Sequence, residues 1–103
     1  PDELFTLSKL SKLHLSWNQL TELPPGIGNL SSLHNLILNY NQLTTLPPEI
    51  GNLSNILSLS IFNNKINVLP DEIGQLTSLH QLQADFNQIT SLPADFYNLP
   101  MLW

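Results

Sequence analysis

The sequence predicts an α/β repeat fold, in which similar units stack into a curved solenoid with a parallel β-sheet along one face. The first observation is a period: Asn18, Asn41, Asn64 and Asn87 lie 23 residues apart without a slip. The second is that leucine or isoleucine recurs at fixed positions around each asparagine. A single unit of this kind cannot bury its own leucines, whereas stacked units bury them in one continuous column.

The apolar columns become visible when each repeat is counted from the residue eight positions before its asparagine. The first position of the repeat holds Leu10, Leu33, Ile56 and Leu79. The fourth position holds Leu13, Leu36, Leu59 and Leu82. The sixth holds Leu15, Leu38, Ile61 and Ala84. Apolar residues at the fourth and sixth positions alternate with polar ones, which is typical of a short strand with one buried face. We therefore predict strands near residues 12–15, 35–38, 58–61 and 81–84.

The second half of each repeat carries a different signal. Proline recurs there as Pro24, Pro47, Pro70 and Pro93. Acidic residues follow several of these prolines, and both suit the first turn of a helix or 3-10 helix. We expect short helical or extended segments on the outer face. The acidic residues are therefore interpreted as helix-start residues rather than as a calcium or acid–base site.

The repeat boundaries define one domain, residues 1–103, of about four and a half repeats. A partial repeat spans 1–9, full repeats span 10–32, 33–55, 56–78 and 79–101, and a further repeat starts at 102–103. Neither end carries the polar cap that solenoids usually need, so we expect a segment of a larger protein.

The pattern LxxLxLxxN, followed by Leu-Pro-x-x-Ile-x-x-Leu, resembles the leucine-rich repeat family over the whole chain. The second half is similar to the subclass found in plant Ras-group-related proteins and in comparable animal and bacterial intracellular proteins. This resemblance implies a right-handed solenoid that binds other proteins through its concave strand face.

The four repeat asparagines, Asn18, Asn41, Asn64 and Asn87, are interpreted as a structural ladder. After each strand the chain must turn inward, which leaves backbone N–H and C=O groups without sheet partners. An asparagine amide carries donors and an acceptor, so a stacked column of them can satisfy neighbouring loops.

Partner binding is expected at positions that point away from the core. The third, fifth and seventh positions and the rim at the eighth supply Lys12, His14, Ser16, Trp17, Asn35, Ile37, Asn39, Tyr40, Ser60, Phe62, Gln81, Gln83, Asp85 and Phe86. Trp17, Tyr40 and Phe86 share the eighth position, and Phe62 stands beside the gap in that column. Such aromatic residues either shield the asparagine column or contact a partner, since tryptophan and tyrosine are favoured interface anchors.

Composition argues against several other functions. Three lysines, no arginine and a net charge of −5 disfavour nucleic-acid binding and anionic membranes. There is no cysteine and no apolar run of membrane-spanning length, and we expect neither a metal nor a cofactor. His34 and His80 lie two repeats apart, roughly 10 Å, which is too far for a shared metal site. Asn29 and Asn52 each match the acceptor pattern for N-linked glycosylation, and we attribute both matches to the repeat itself. We expect a cytoplasmic location.

The leading hypothesis is a non-catalytic scaffold module that binds a protein through its strand face. One alternative is self-assembly by end-to-end stacking of uncapped repeats. Another is that the array is the targeting or regulatory arm of a larger enzyme, such as a kinase, a GTPase or a ubiquitin ligase.

Overall fold

A computed structural model describes residues 9–94 and 96, and in this part of the chain four short strands form one parallel sheet. The strands are β1 (Lys12–His14), β2 (Asn35–Ile37), β3 (Ser58–Ser60) and β4 (Gln81–Gln83). Their spatial order follows the sequence, and each pairs in parallel with the next. In all three pairings the partners are 23 residues apart, for example Leu13 with Leu36. The repeat period is therefore also the sheet register.

Backbone hydrogen bonds continue past the end of each strand. The Leu15 N–H donates to Ile37 O at 2.8 Å, and the Trp17 N–H donates to Asn39 O at 3.0 Å. The next pairs of repeats make the equivalent bonds. Adjacent repeats are thus held in register through the eighth position, where the chain turns inward.

In the described part of the chain, 3-10 helices at Pro25–Asn29, Pro48–Asn52 and Asp71–Gln75 lie on the opposite side of the core. Each follows a proline in extended conformation, and two begin with a second proline. Glu49 lies in the first turn of the second helix, and Asp71 and Glu72 lie in that of the third. This matches the expectation that proline and acidic residues mark helix starts.

Glycine allows neighbouring 3-10 helices to pack closely. A Cβ on Gly28 would lie 2.9 Å from the carbonyl oxygen of Glu49. On Gly51 it would lie 2.5 Å from Gln75 Oε1 and 2.9 Å from the carbonyl oxygen of Glu72. A backbone carbonyl cannot move aside as a side-chain tip can, so these two positions exclude a side chain.

The core is a continuous column of leucine and isoleucine between the sheet and the helices. In the two central repeats the first, fourth and sixth positions are completely buried, namely Leu33, Leu36, Leu38, Ile56, Leu59 and Ile61. In the outer repeats Leu13 and Leu79 are also buried, and the other counterparts, Leu10, Leu15, Leu82 and Ala84, are partly buried against the same core. The solenoid expected from the repeat pattern is confirmed, and each strand ends one residue earlier than the alternation predicted.

Several expectations concern residues outside the described part of the chain. These are the partial repeat 1–9 except for Lys9, residues 95 and 97–101 of the repeat 79–101, and the start of a repeat at 102–103. Three of the acidic residues that follow a repeat proline, Asp2, Glu3 and Asp95, are among them. Within the described ranges, none of the helices combines the length and the hydropathy needed to cross a bilayer.

Candidate functional site

The strand face presents a mixed polar and aromatic surface. Of the predicted positions, Lys12, His14, Trp17, Gln81, Gln83, Asp85 and Phe86 are exposed, and Ser16, Asn35, Ile37, Asn39, Tyr40 and Phe62 are half-buried. Ser60 differs from this expectation. Its side chain is only 6% exposed because neighbouring side chains on both sides engage its hydroxyl. Ser60 is therefore a supporting residue beneath the surface rather than a contact residue.

Four aromatic rings form one uninterrupted row across the four repeats, which we call the aromatic row: Trp17, Tyr40, Phe62 and Phe86. Trp17 and Tyr40 are stacked, with ring centroids 3.7 Å apart and planes 6° from parallel. Phe62 meets Tyr40 and Phe86 edge to face, with centroids 5.3 Å away in each case. Since the third repeat has Asn63 at the eighth position, its ring comes from the seventh instead. The row therefore stays continuous although the residue position changes.

The eighth position has an unusual backbone conformation. Trp17, Tyr40, Asn63 and Phe86 have φ values of 62°, 58°, 58° and 58°, in the left-handed region. Asparagine adopts this region readily, whereas a bulky residue is strained there by about 1–2 kcal/mol. Three repeats thus hold a large ring where a smaller polar residue would fit with less strain. The turn gives the next residue, the repeat asparagine, its inward direction.

The asparagine amides bridge consecutive repeats. Asn64 Oδ1 accepts the backbone N–H of Leu43 at 3.1 Å, and its Nδ2 donates to Leu38 O at 3.0 Å and Ile61 O at 3.1 Å. Asn41 and Asn87 make the equivalent bonds to their own and the preceding repeat. Asn18 is exposed and donates to Leu15 O and Ser16 O within its own repeat. Among the described residues no buried side-chain N or O atom lacks a hydrogen-bond partner.

A network of polar side chains runs beside the aromatic row. Asn39 Oδ1 accepts the Ser60 hydroxyl at 2.7 Å and the Phe62 N–H at 2.8 Å. The Asn39 N–H donates to Ser16 Oγ at 3.1 Å. The Gln83 amide lies 3.1 Å from Ser60 Oγ. These bonds fix the polar side chains of four repeats relative to the rings, a feature that sequence reasoning missed because it depends on side-chain directions.

A shallow depression lies near the starts of the strands, lined by Asn35, Leu57, Ser58, His80 and Gln81. Leu57 is 40% exposed at the second position of its repeat, which holds Ser11, His34 and His80 in the other repeats. An apolar residue at a position that is polar in the three other full repeats is a sequence signal for an exposed contact residue, which the alternation pattern alone does not reveal. His80 directs Nδ1 to Ser78 O at 2.7 Å. Within the described residues, no three His, Asp or Glu side chains are close enough together to hold a metal ion.

The whole repeat array matches a known family. The family described as "Leucine-rich repeat region" matches residues 2–102. This chain belongs to the leucine-rich repeat family. Leucine-rich repeat domains are generally non-catalytic modules for protein–protein interaction, so the family suggests protein–protein interaction as the general role of this array. No curated protein matches the chain.

Solved leucine-rich repeat structures share its fold. A leucine-rich repeat protein of Leptospira interrogans is 44% identical with a TM-score of 0.97, over 99% of this chain. An internalin (inlF) from Listeria monocytogenes is 30% identical with a TM-score of 0.85, over 98%. The leucine-rich repeat domain of the type III effector XopL is 32% identical with a TM-score of 0.89, over 99%. The chain spans only 26%, 28% and 38% of these three chains, respectively.

Proposed function

We propose that the strand face binds a protein partner and that the aromatic row is the centre of the contact. The observation that carries this proposal is the exposure of rings in a strained backbone. Trp17 is 73% exposed and Phe86 is 72% exposed, both with positive φ. Rings that only shielded the asparagine column would be covered on folding, whereas these two remain largely in solvent.

The surroundings of the row suit an interface. Binding surfaces combine a few aromatic anchors with a polar rim, and truncating an anchor typically weakens binding most. Half-buried Ile37 and the amides of Asn39 and Gln83 lie on the same strand face as the rings. The rings also hold one another in place, so a partner would find the surface already formed and lose little conformational entropy on binding.

The size of the surface sets a limit on affinity. The strand face offers sixteen positions over four repeats, while a standard interface uses roughly 20–30 residues on each side. We therefore propose a scaffold role in which this segment supplies part of a longer binding surface. That role is compatible with the array serving as the targeting arm of a larger enzyme, since the matched structures are longer chains.

A pull-down with matched variants tests the proposal. The bait is the chain itself, compared with Phe62→Asp, which places a charge in the middle of the row. The control is Val68→Asp, which places the same charge at another exposed apolar residue, 53% exposed and outside the strands. We expect a protein that is retained by the parent chain and by Val68→Asp but lost from Phe62→Asp. Equal recovery by all three baits would refute the role of the row.

A further inference from the structure

We infer that the strand face takes an extended peptide segment of its partner, laid across the strands along the aromatic row, with a lysine or arginine at Asp85. This inference rests on the proposed function and specifies the chemistry of the partner. It follows from the ring geometry, the directions of two amides and the position of one carboxylate.

The ring geometry favours side chains that insert between rings over flat ligands. Sugars and nucleobases stack on ring faces that lie open to the ligand. In the aromatic row, Tyr40 and Phe62 are inclined by 79°, and Phe62 and Phe86 by 90°. Trp17 and Tyr40 are parallel but cover each other's inner faces. From Tyr40 to Phe86 the row is therefore a ridge of edges and gaps, which suits apolar side chains such as leucine and proline.

The direction of the Asn39 amide is fixed by a backbone donor. The Phe62 N–H can only donate, so the amide atom 2.8 Å away must be the oxygen Oδ1. Nδ2 then points away from this contact and has no hydrogen-bond partner within the described residues. No buried side-chain nitrogen there lacks a partner, so Nδ2 is accessible to solvent. Asn39 consequently offers N–H donors to an incoming acceptor, such as a peptide carbonyl.

The direction of the Gln83 amide follows from the same network. Ser60 has one hydroxyl hydrogen, which the 2.7 Å contact with Asn39 Oδ1 uses. The Gln83 atom 3.1 Å from Ser60 Oγ is assigned as Oε1, but two oxygens cannot bond without a hydrogen between them. The amide therefore turns its NH₂ toward Ser60 and leaves Oε1 outward, as an acceptor for a peptide N–H.

The spacing of these two amides matches an extended chain. Both amides contact Ser60 Oγ, Asn39 at 2.7 Å and Gln83 at 3.1 Å, so the two contacting atoms lie within about 6 Å of each other. An extended chain covers that distance in about two residues, at ~3.3 Å per residue. One segment running across the strands can thus receive a hydrogen bond from Asn39 and give one to Gln83, while alternate side chains meet the rings.

The charge at the end of the row orients the segment. Asp85 is exposed, follows β4 and immediately precedes Phe86, and its carboxylate has no ion-pair partner among the described residues. On the strand face Lys12 and His14 lie at the opposite end, on β1. A cation that contacts both a carboxylate and an aromatic ring is stabilised by the ion pair and by cation–π attraction. The basic residue of the segment therefore belongs at the fourth repeat.

The test compares the binding affinities of two synthetic peptides for the full chain and its variants in a thermodynamic cycle. Each affinity is measured from the amide chemical-shift changes in an NMR titration. Both peptides are six residues long, acetylated and amidated, with alternating leucine and proline; one ends in lysine and the other in norleucine. We expect the lysine peptide to bind about three- to tenfold more tightly. Asp85→Asn should remove that difference without weakening the norleucine peptide.

Two more variants probe the amides and the row. Asn39→Asp keeps the inward oxygen that Ser60 and Phe62 need but replaces the outward donor with an acceptor, so it should weaken both peptides. Phe62→Asp should abolish both interactions. No preference for lysine, or an equal effect of Asp85→Asn on both peptides, would overturn the inference. So would tighter binding of a linear glucose hexamer. In each of these cases the pull-down with Phe62→Asp and Val68→Asp still decides the proposed function separately.

Discussion

Asn64 Oδ1 accepts the backbone N–H of Leu43, twenty-one residues earlier in the chain, at 3.1 Å. The same amide donates to carbonyl oxygens of both repeats. One buried side chain therefore satisfies backbone groups that the inward turn would leave unpaired, and it does so across a repeat boundary. Both this hydrogen bond and the leucine column form only if corresponding positions recur every 23 residues.

Replacing Asn64 by alanine should lower the free energy of unfolding by about 2–4 kcal/mol, because the N–H and carbonyl groups it serves stay buried and unpaired. Asn18→Ala is the matched control. Asn18 is exposed and its hydrogen bonds to described residues lie within its own repeat, so its loss should cost under about 1 kcal/mol. Urea unfolding followed by circular dichroism measures both, and equal losses would contradict the bridging role.

Gly51→Ala should destabilise the fold by about 1–3 kcal/mol, because the added methyl group meets the carbonyl oxygen of Glu72 in the neighbouring 3-10 helix. The control is Ser54→Ala, at an exposed position just after the 3-10 helix that contains Gly51. It should change stability by less than about 0.5 kcal/mol. Thermal unfolding of the two variants distinguishes helix packing from a general effect of alanine. A neutral Gly51→Ala variant would mean that the helices can separate freely.

Substitutions at Asn63 test the backbone of the turn without removing a ring. Asn63→Gly should leave stability within about 0.5 kcal/mol of the parent chain, since glycine adopts positive φ readily. Asn63→Val should lose about 1–2 kcal/mol, because a β-branched side chain is strained in the left-handed region. Denaturant unfolding is the readout, and a harmless valine would show that the turn is not held at positive φ.

The contact between Tyr40 and Phe62 should appear as a coupling energy. A double-mutant cycle with Tyr40→Ala and Phe62→Ala should give about 0.5–1.5 kcal/mol in the free energy of unfolding. The cycle of Tyr40→Ala with Ile37→Ala is the comparison, because these two side chains share no ring–ring contact. If the two cycles give the same coupling, the rings do not act as a row in the free protein.

The solenoid could be predicted from the sequence because its determinants are periodic. Leu36 and Leu59 mark buried strand positions by alternation, and Asn41 among leucines indicates an inward turn with unpaired backbone groups. The alternation predicts strands that are one residue too long because Leu38 and Ile61, at the sixth position, stay buried after the strand ends.

The details of the strand face were less accessible to sequence reasoning. Phe62 stands at a different repeat position from the other rings, so its contacts with Tyr40 and Phe86 depend on how far each side chain reaches. Ser60 looked like a surface residue because alternation points it outward, yet Asn39 and Gln83 cover it. The positive φ of Trp17 carries no sequence signal, since aromatic residues rarely adopt it.

The measurement that tests the central claim most directly is the dissociation constant of a purified partner, once it is captured, for three versions of the chain. We expect the parent chain and Val68→Asp to bind equally well. We expect Phe62→Asp to bind at least tenfold more weakly while remaining folded, with a cooperative unfolding transition in urea, because an anchor at the centre of an interface typically contributes more than about 1.4 kcal/mol. Equal dissociation constants for all three would contradict the account, because the partner would then contact another surface.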